Sequence, residues 1–375
     1  MGAADAELGK PSSPAGSLQC NSTYRLNIGI DPVAVDLSTI DPASLRSVLG
    51  LAPEQKIDVL CACPPCTGFS RANPLNHLRD DPRNSLVRRA GEFAVALDAD
   101  IVVMENAREL LHGNFSEHYG CLVDFLRENG YRVFGKVYLL TAFGLPQIRE
   151  RAIILAAKRP LELHTLDELW AGFQVSEAAL TVRRAFSVID PGNPTQALFP
   201  NFGTDEVRER IQAIPRDGGS WLDLARKKET RNLLTGAMVR NWNAGKTGSY
   251  PDVYGRMAWD RPAPTIKREC AHCGNGRYTH PEEDRLCTVR EMATLQGFPQ
   301  SFRFGASALS NLYRHIGDAV PPLISYQLAW ICQWMLTGRK PNIREVVLPD
   351  THLRKDEDIE EPYAVLLEDG AGADS

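Results

Sequence analysis

The sequence has no run of about 18 apolar residues, so no membrane-spanning helix is expected. The opening stretch, Met1 to Gln19, lacks both a basic head and an apolar core and does not read as a secretory signal. A disulfide framework is also missing. The nine cysteines are an odd number and scattered, which fits reduced thiols in a cytoplasm. Cys270-Ala271-His272-Cys273, with His280 nearby, falls short of a regularly spaced four-ligand set, and Cys61, Cys63 and Cys66 point different ways along a strand and its loop. No metal is expected. What is present is ordinary for a globular chain: 375 residues, 43% hydrophobic and 24% charged. That length holds two domains, or one large domain with an insertion.

The formal charge of −5 hides an uneven distribution. Residues 350–375 carry nine acids and two bases, and residues 216–268 carry eleven Lys or Arg against five acids. The basic excess suits a phosphate backbone, and equally an ordinary solvated surface.

The chain is organised around Ile57-Asp58-Val59-Leu60-Cys61-Ala62-Cys63-Pro64-Pro65-Cys66-Thr67-Gly68-Phe69-Ser70. Its apolar start predicts a buried strand. Pro64 and Pro65 remove two backbone donors and end it. Cys66 then lies on a loop just past the carboxyl end of a strand, where open α/β sheets bind ligands. It reads as a nucleophile or as a small buried hydrophobe.

Alternating strands and helices follow. Asp80–Leu97 predicts a helix with apolar positions 86, 90, 93, 94 and 97. Ile101-Val102-Val103-Met104 predicts a buried strand ending at Glu105. Its carboxylate reads as a general acid or hydrogen-bond partner with a raised pKa, or as one half of a buried ion pair. Tyr119–Asn129 predicts a helix stopped by Gly130. Strands are expected at 131–140 and 152–157. Gln147, Arg149 and Arg151 between them share one face if extended, to bind an anion or base carbonyl or to form an ion-paired edge.

Before the Pro-Cys loop, Asn21 to Asn27 reads as the end of a helix and Val33–Leu37 as a short strand. Asp36 is a ligand-binding acid at a strand end or the cap of a following helix.

These blocks resemble the cytosine-C5 DNA methyltransferase family. Pro65-Cys66-Thr67-Gly68-Phe69-Ser70 is similar to its Pro-Cys-Gln-x-Phe-Ser loop, with Thr67 for the common Gln. Val103-Met104-Glu105-Asn106-Ala107 is similar to its Glu-Asn-Val block, and Gln147-Ile148-Arg149-Glu150-Arg151 to its Gln-x-Arg-x-Arg block. Arg285 through Leu295-Gln296-Gly297-Phe298-Pro299 to Ile316-Gly317-Asp318-Ala319-Val320-Pro321-Pro322 resembles its last two.

The resemblance implies an α/β, Rossmann-like S-adenosylmethionine-dependent methyltransferase sheet with a small loop-rich target-recognition domain inserted. It divides the chain into a disordered 1–19, a catalytic part 20–158, a recognition domain 159–284, a returning segment 285–340 and an acidic tail 341–375. It implies a catalytic set of Cys66, Glu105, Arg149 and Arg151. Asp36, Pro65, Leu86, Asp318, Ala319 and Val320 fall where the family meets S-adenosyl-L-methionine, although Leu86 also reads as a plain core leucine. Gln147, Arg226, Lys227, Lys228, Arg240, Asn241 and Arg256 are the expected contacts to double-stranded DNA.

Two departures stand out. The glycine-rich Phe-x-Gly-x-Gly-like turn and the acid-ended strand after it have no counterpart, nor a displaced copy near the C-terminus. Asp318 replaces the usual Asn, which weakens the expected cofactor affinity. The expected function is DNA cytosine-5 methylation in restriction-modification. Two alternatives are a catalytically silent or split DNA-binding subunit, completed by a second chain, and a tRNA cytosine-5 methyltransferase.

Overall fold

The computed structural model describes residues 1–7, 16–69, 79–246 and 252–361. Its centre is a four-stranded mixed sheet in the order β1-β2-β4-β3. The strands are β1 (Ile57–Ala62), β2 (Ala99–Ala107), β3 (Tyr131–Leu139) and β4 (Glu150–Lys158). β1 runs parallel to β2, and β4 is antiparallel to both its neighbours. Among the described residues no strand pairs with the outer edge of β1.

Side-chain alternation along β2 builds two core layers. Val102 and Met104 face the helices Leu86–Ala96 (α2) and Glu117–Glu128 (α3), packing with Val87, Ala94, Leu122 and Leu126. Ile101 and Val103 face the opposite way, onto Leu323, Ile324, Leu328 and Ile331. Those four belong to the last long helix, Pro322–Thr337, which contains no charged residue. Each fully buried aliphatic side chain stabilises by about 1.5–3 kcal/mol, so a charged replacement of Val102 or Ile153 would break a layer.

A second core lies outside the sheet. It joins Val182, Phe202, Ile211 and Met257 to Val289, Met292, Leu295, Leu312 and Ile316. The last five come from the helices Val289–Leu295 (α6) and Leu309–Asp318 (α7). Two further helices of this region are Asp205–Ala213 (α4) and Gly236–Asn243 (α5), and Pro322–Thr337 is α8.

The domain boundaries therefore move. Leu166, Leu169, Trp170, Val175 and Ala179 pack beneath the main sheet rather than with the recognition segment that was to begin at 159. The segment 285–316 shares the recognition segment's core instead of returning at once to the sheet. The segment expected as an acidic tail also differs. Ile343, Val346, Leu353 and Ile359 are buried under the sheet, and Ile359–Glu360 (β6) pairs antiparallel with Gln174–Val175 (β5). Charge misled there, because Arg184 takes up Asp358 at 3.0 Å. Residues 362–375 of that expectation lie outside the described residues.

At the other end, Ala4 bridges Val33, and Leu18 O meets His315 Nε2 at 2.6 Å, so the described parts of 1–19 are tied down. Residues 8–15 are outside the description. The expected strand at 33–37 is reduced to that single bridge, and the helix at 21–27 is Cys20–Ile28 (α1).

Candidate active site

Pro64 and Pro65 end β1, and a short 3-10 turn at Cys66–Gly68 follows. Asn106, 1% exposed at the end of β2, fixes this loop from the neighbouring strand. Its Nδ2 donates to Pro64 O at 3.1 Å, while its Oδ1 accepts from the Ala107 amide at 2.8 Å. Both ends of the side chain are used, so it has one orientation. Sequence reading passed over Asn106 in favour of Glu105; a polar residue closing an otherwise apolar strand was the available signal.

Cys66 is half-buried, and four charged groups act on its thiol. Burial pushes its pKa up, and Glu105 and Asp318 push the same way, while Arg151 and Arg149 pull it down. Glu105 and Arg151 meet at 2.8 Å, with side chains only 14% and 17% exposed. The register explains the contact: Glu105 faces Ile153 and Ala107 faces Arg151 across β2 and β4, so the pair is a diagonal neighbour. The ion pair and the site carboxylate are thus one arrangement, not two competing ones.

Arg149 is 2% exposed and sits behind the thiol loop. It donates to Ile266 O at 2.8 Å and Gly317 O at 3.5 Å, and to Gln147 Oε1 at 3.4 Å. Burial and the like charge of Arg151 lower its pKa, yet a guanidinium surrounded by carbonyls stays protonated. Gly317 lets the backbone of residues 267–268 pack against α7. A Cβ there would lie 2.3 Å from Lys267 O and 2.6 Å from Arg268 N.

Two expected DNA contacts are corrected. Gln147 is fully buried and latches three segments: its Nε2 donates to Gln296 Oε1 at 2.7 Å and Leu295 O at 3.2 Å, and its Oε1 accepts from Ile266 N at 2.8 Å. Arg256 is also fully buried. It donates to Ile211 O at 2.9 Å, Ile214 O at 3.1 Å and Glu283 O at 2.8 Å, and pairs with Asp284. It closes the carboxyl end of α4, which no local sequence signal announced. By contrast Arg226, Lys227, Lys228 and Arg240 are exposed and Asn241 is half-exposed. Arg226 pairs with Asp223 at 2.8 Å. Cys270 and Cys273 are buried in the second core, with Cys270 Sγ 3.6 Å from Tyr313 O.

On the expected cofactor side, Cys61 and Cys63 at the end of β1 are exposed. Tyr24 of α1 and Cys332 of α8 stand within electrostatic reach of Cys61. Asp318, the last residue of α7 rather than part of a turn, lies 3.3 Å from Arg268 and is felt by both Cys20 and Cys66. Burial raises its carboxyl. Ala319 and Val320 follow it half-exposed, with Ala319 O held by Gln296 Nε2 at 3.0 Å. Pro65 is exposed and Leu86 half-buried at the start of α2. Asp36 is exposed, and it accepts from Ser38 N at 2.9 Å and Ser38 Oγ at 2.6 Å, which holds its carboxyl below the usual range. Arg89 of α2 donates to Leu37 O at 3.2 Å and so ties the Asp36 turn to the helix that Leu86 starts.

A mixed sheet lies between helices, with the thiol past the carboxyl end of β1, the carboxylate near the carboxyl end of β2 and the guanidinium at the amino end of antiparallel β4; the fold is that of a Rossmann-like methyltransferase. Solved structures show the same fold. A prophage-encoded Escherichia coli protein described as a DNA modification methyltransferase superposes with TM-score 0.54 at 20% identity, covering 85% of this chain and 88% of that one. Dnmt2 methyltransferase of S. pombe gives 0.51 at 16% identity, covering 84% and 88%.

The family follows from the sequence itself: C-5 cytosine-specific DNA methylase matches residues 15–333, and the chain belongs to that family. The Type II methylase M.HgiDII of Herpetosiphon aurantiacus is 27% identical over 328 residues, 85% of this chain and 87% of that protein. Type II methyltransferase M1.BsuMI of Bacillus subtilis (strain 168) is 31% identical over 289 residues, 73% of this chain and 60% of its own length. The chain is a DNA (cytosine-5-)-methyltransferase, and S-adenosyl-L-methionine is its methyl donor. The likeness to M.HgiDII runs through one chain and gives no support to a second. No described helix is long and apolar enough to cross a membrane.

Proposed function

We propose that this chain methylates C5 of a cytosine turned out of double-stranded DNA, through a covalent bond between Cys66 Sγ and C6, as the cytoplasmic methylase of a restriction-modification pair. The reading is carried by one observation: Cys66, on the turn after β1, feels the charges of the Glu105–Arg151 pair held between β2 and β4 and of Arg149 just before β4. The Type II names of the relatives support the restriction-modification role.

The chemistry explains why those types are needed. C5 of cytosine is a poor nucleophile. Addition of the Cys66 thiolate at C6 moves electron density to C5, which then takes the methyl group supplied by S-adenosyl-L-methionine. Glu105 accepts from the exocyclic amine and, once N3 takes up a proton as the thiolate adds, from N3–H, which stabilises the adduct, and Arg151 reaches the base carbonyl while steadying Glu105. Arg149, held by Ile266 O and Gly317 O, lends its positive charge to the Cys66 thiolate. Loss of the C5 proton expels Cys66 and restores the aromatic ring. The atom attacked lies inside the stack, so extrusion costs a few kcal/mol. Arg226, Lys227, Lys228, Arg240 and Asn241 supply backbone and groove contacts. A silent DNA-binding subunit would not need this assembled constellation, and the family is one of DNA rather than tRNA methylases.

The test is mass spectrometry of the protein after incubation with cofactor and 5-fluorocytosine DNA. The expected product is one cross-link, mapped to Cys66 and absent from Cys66→Ala. A cross-link that persists in Cys66→Ala refutes the assignment.

A further inference from the structure

We propose that Asp80, Glu117 and His118 bind one divalent cation of the zinc type, which ties the start of α3 to the chain entering α2.

The three side chains each bring one donor atom to within 4.8 Å of the others. Among the described residues no other three His, Cys, Asp or Glu side chains do so. Asp80 lies well before Glu117 and His118 in the chain, so no sequence spacing announces the set. His118 Nε2 already meets both Asp80 oxygens, Oδ1 at 3.0 Å and Oδ2 at 2.9 Å. A tetrahedral zinc ion with bonds of about 2.0–2.2 Å spans donor separations of about 3.2–3.6 Å. Asp80 and His118 therefore need only small rotations to admit the ion, and exposed Glu117, which opens α3, swings in to complete the set. Zinc takes the place of the Nε2 proton, and the neutral ring keeps its proton on Nδ1. One nitrogen and two oxygens suit zinc, whereas Mg²⁺ and Ca²⁺ take oxygen alone. Water fills the fourth position.

Two of the donors are held from behind. Asn84 is 0% exposed, its Nδ2 donates to Asp80 Oδ1 at 2.7 Å, and its buried Oδ1 has no hydrogen-bond partner. This buried amide thus spends its only side-chain bond on orienting Asp80 and leaves Oδ2 to the ion, the arrangement by which ligating carboxylates are fixed. The His118 side chain is 18% exposed, and its ring meets Phe69 edge to face, 6.0 Å between centroids. The charge also calls for a cation. Among the described residues no lysine or arginine pairs with Asp80 or Glu117, and Arg83 is taken by Asp81 at 2.7 Å. The site lies close to the reacting thiol in the chain of contacts. The Phe69 amide donates to Cys66 O at 3.1 Å, so an ion on His118 steadies the ring that closes the Cys66 turn.

The test titrates the full chain with Zn²⁺ by calorimetry and with Co²⁺, a coloured stand-in, by absorption. The expected result is a single ion per chain, and an unfolding temperature raised by about 3 °C or more when zinc is at about a hundredfold of its Kd. Glu117→Gln and His118→Gln each weaken zinc binding at least tenfold, roughly, the loss usual for a disturbed ligand set. Glu117→Gln alters an exposed side chain, so without metal it melts with the wild type and its loss of binding is not a loss of fold. The first equivalent of Co²⁺ shows d–d bands and no thiolate-to-metal charge transfer. Three results overturn the site: no zinc binding by the wild type, unchanged affinity in either variant, or a charge-transfer band, which puts the ion on exposed thiols such as Cys61, Cys63 or Cys121.

Discussion

Arg151 Nε lies 2.8 Å from Glu105 Oε1 across the antiparallel pair of β2 and β4, beside the Cys66 loop. The contact makes the orientation of the site carboxylate a property of strand register, not of loop placement. Glu105→Gln keeps the shape and removes the charge. It is expected to slow methyl transfer by roughly 10²–10⁴ while leaving the unfolding temperature nearly unchanged, in single-turnover assays with tritiated cofactor.

The same pair governs pH dependence. Burial raises the Cys66 thiol above its ordinary value, and Arg151 opposes the rise. The thiolate is the reacting form. Adduct formation should therefore climb with pH and keep climbing beyond the ordinary thiol range. Removing the positive charge in Arg151→Gln moves the rising limb to still higher pH. A limb that stays in place, followed by rapid-quench trapping on 5-fluorocytosine DNA, contradicts the electrostatic account.

Asn106→Ala frees Pro64 O and the Ala107 amide from their shared partner. Small misplacements of a reacting group cost about 10² in rate. The expected result is a 10- to 100-fold slower adduct, roughly, by that reasoning, with cofactor affinity by calorimetry unchanged.

Buried and exposed members of the polar set separate in a salt titration. Lys227→Ala combined with Lys228→Ala should weaken DNA binding on all sequences and lower the slope of log K against log salt by about 2. Gln147→Ala should leave that slope alone and instead destabilise the fold by about 1–3 kcal/mol, because it strands the amide of Ile266 and the carbonyl of Leu295. Fluorescence anisotropy and thermal unfolding report the two effects.

His352 is fully buried and shares a 3.0 Å contact with Gly144 O, so its Nε2 carries the proton that is donated. Burial holds its pKa down to about 3. The unfolded chain takes up a proton first, near the ordinary histidine value of about 6.5. Stability is therefore intact above that pH and is lost as the pH falls toward the folded value, by up to about 3 kcal/mol at pH 4. His280 and His315, also lowered by burial, add in the same direction. Thermal melts from pH 8 to 4 should show the fall, and His352→Gln should flatten it.

The sheet and the thiol were legible because their signals are local. Two prolines stop a strand at any context, and Ile101–Met104 is buried from both sides whatever surrounds it. Residues 341–361 were misread because charge density describes the solvent face of a segment and says nothing of Ile343, Val346 and Leu353 on its other face. Gln147 and Arg256 were assigned to DNA because polar side chains look free in a sequence. Their partners are carbonyls contributed by distant segments, such as Leu295 and Ile211, and only folding brings those near. Asn106 was missed for the converse reason: its work is done on the backbone of another strand.

The second core carries a lesson for anyone building chimeras of this enzyme. Val182, Phe202 and Met257 interdigitate with Val289, Met292 and Leu312, so a transplant cut at 159 and 284 would divide one hydrophobic interior between two parents. A graft meant to give the enzyme a new target site must take the stretch from about 182 to 316 as a single piece, and would bring along the Lys267 backbone that packs against Gly317.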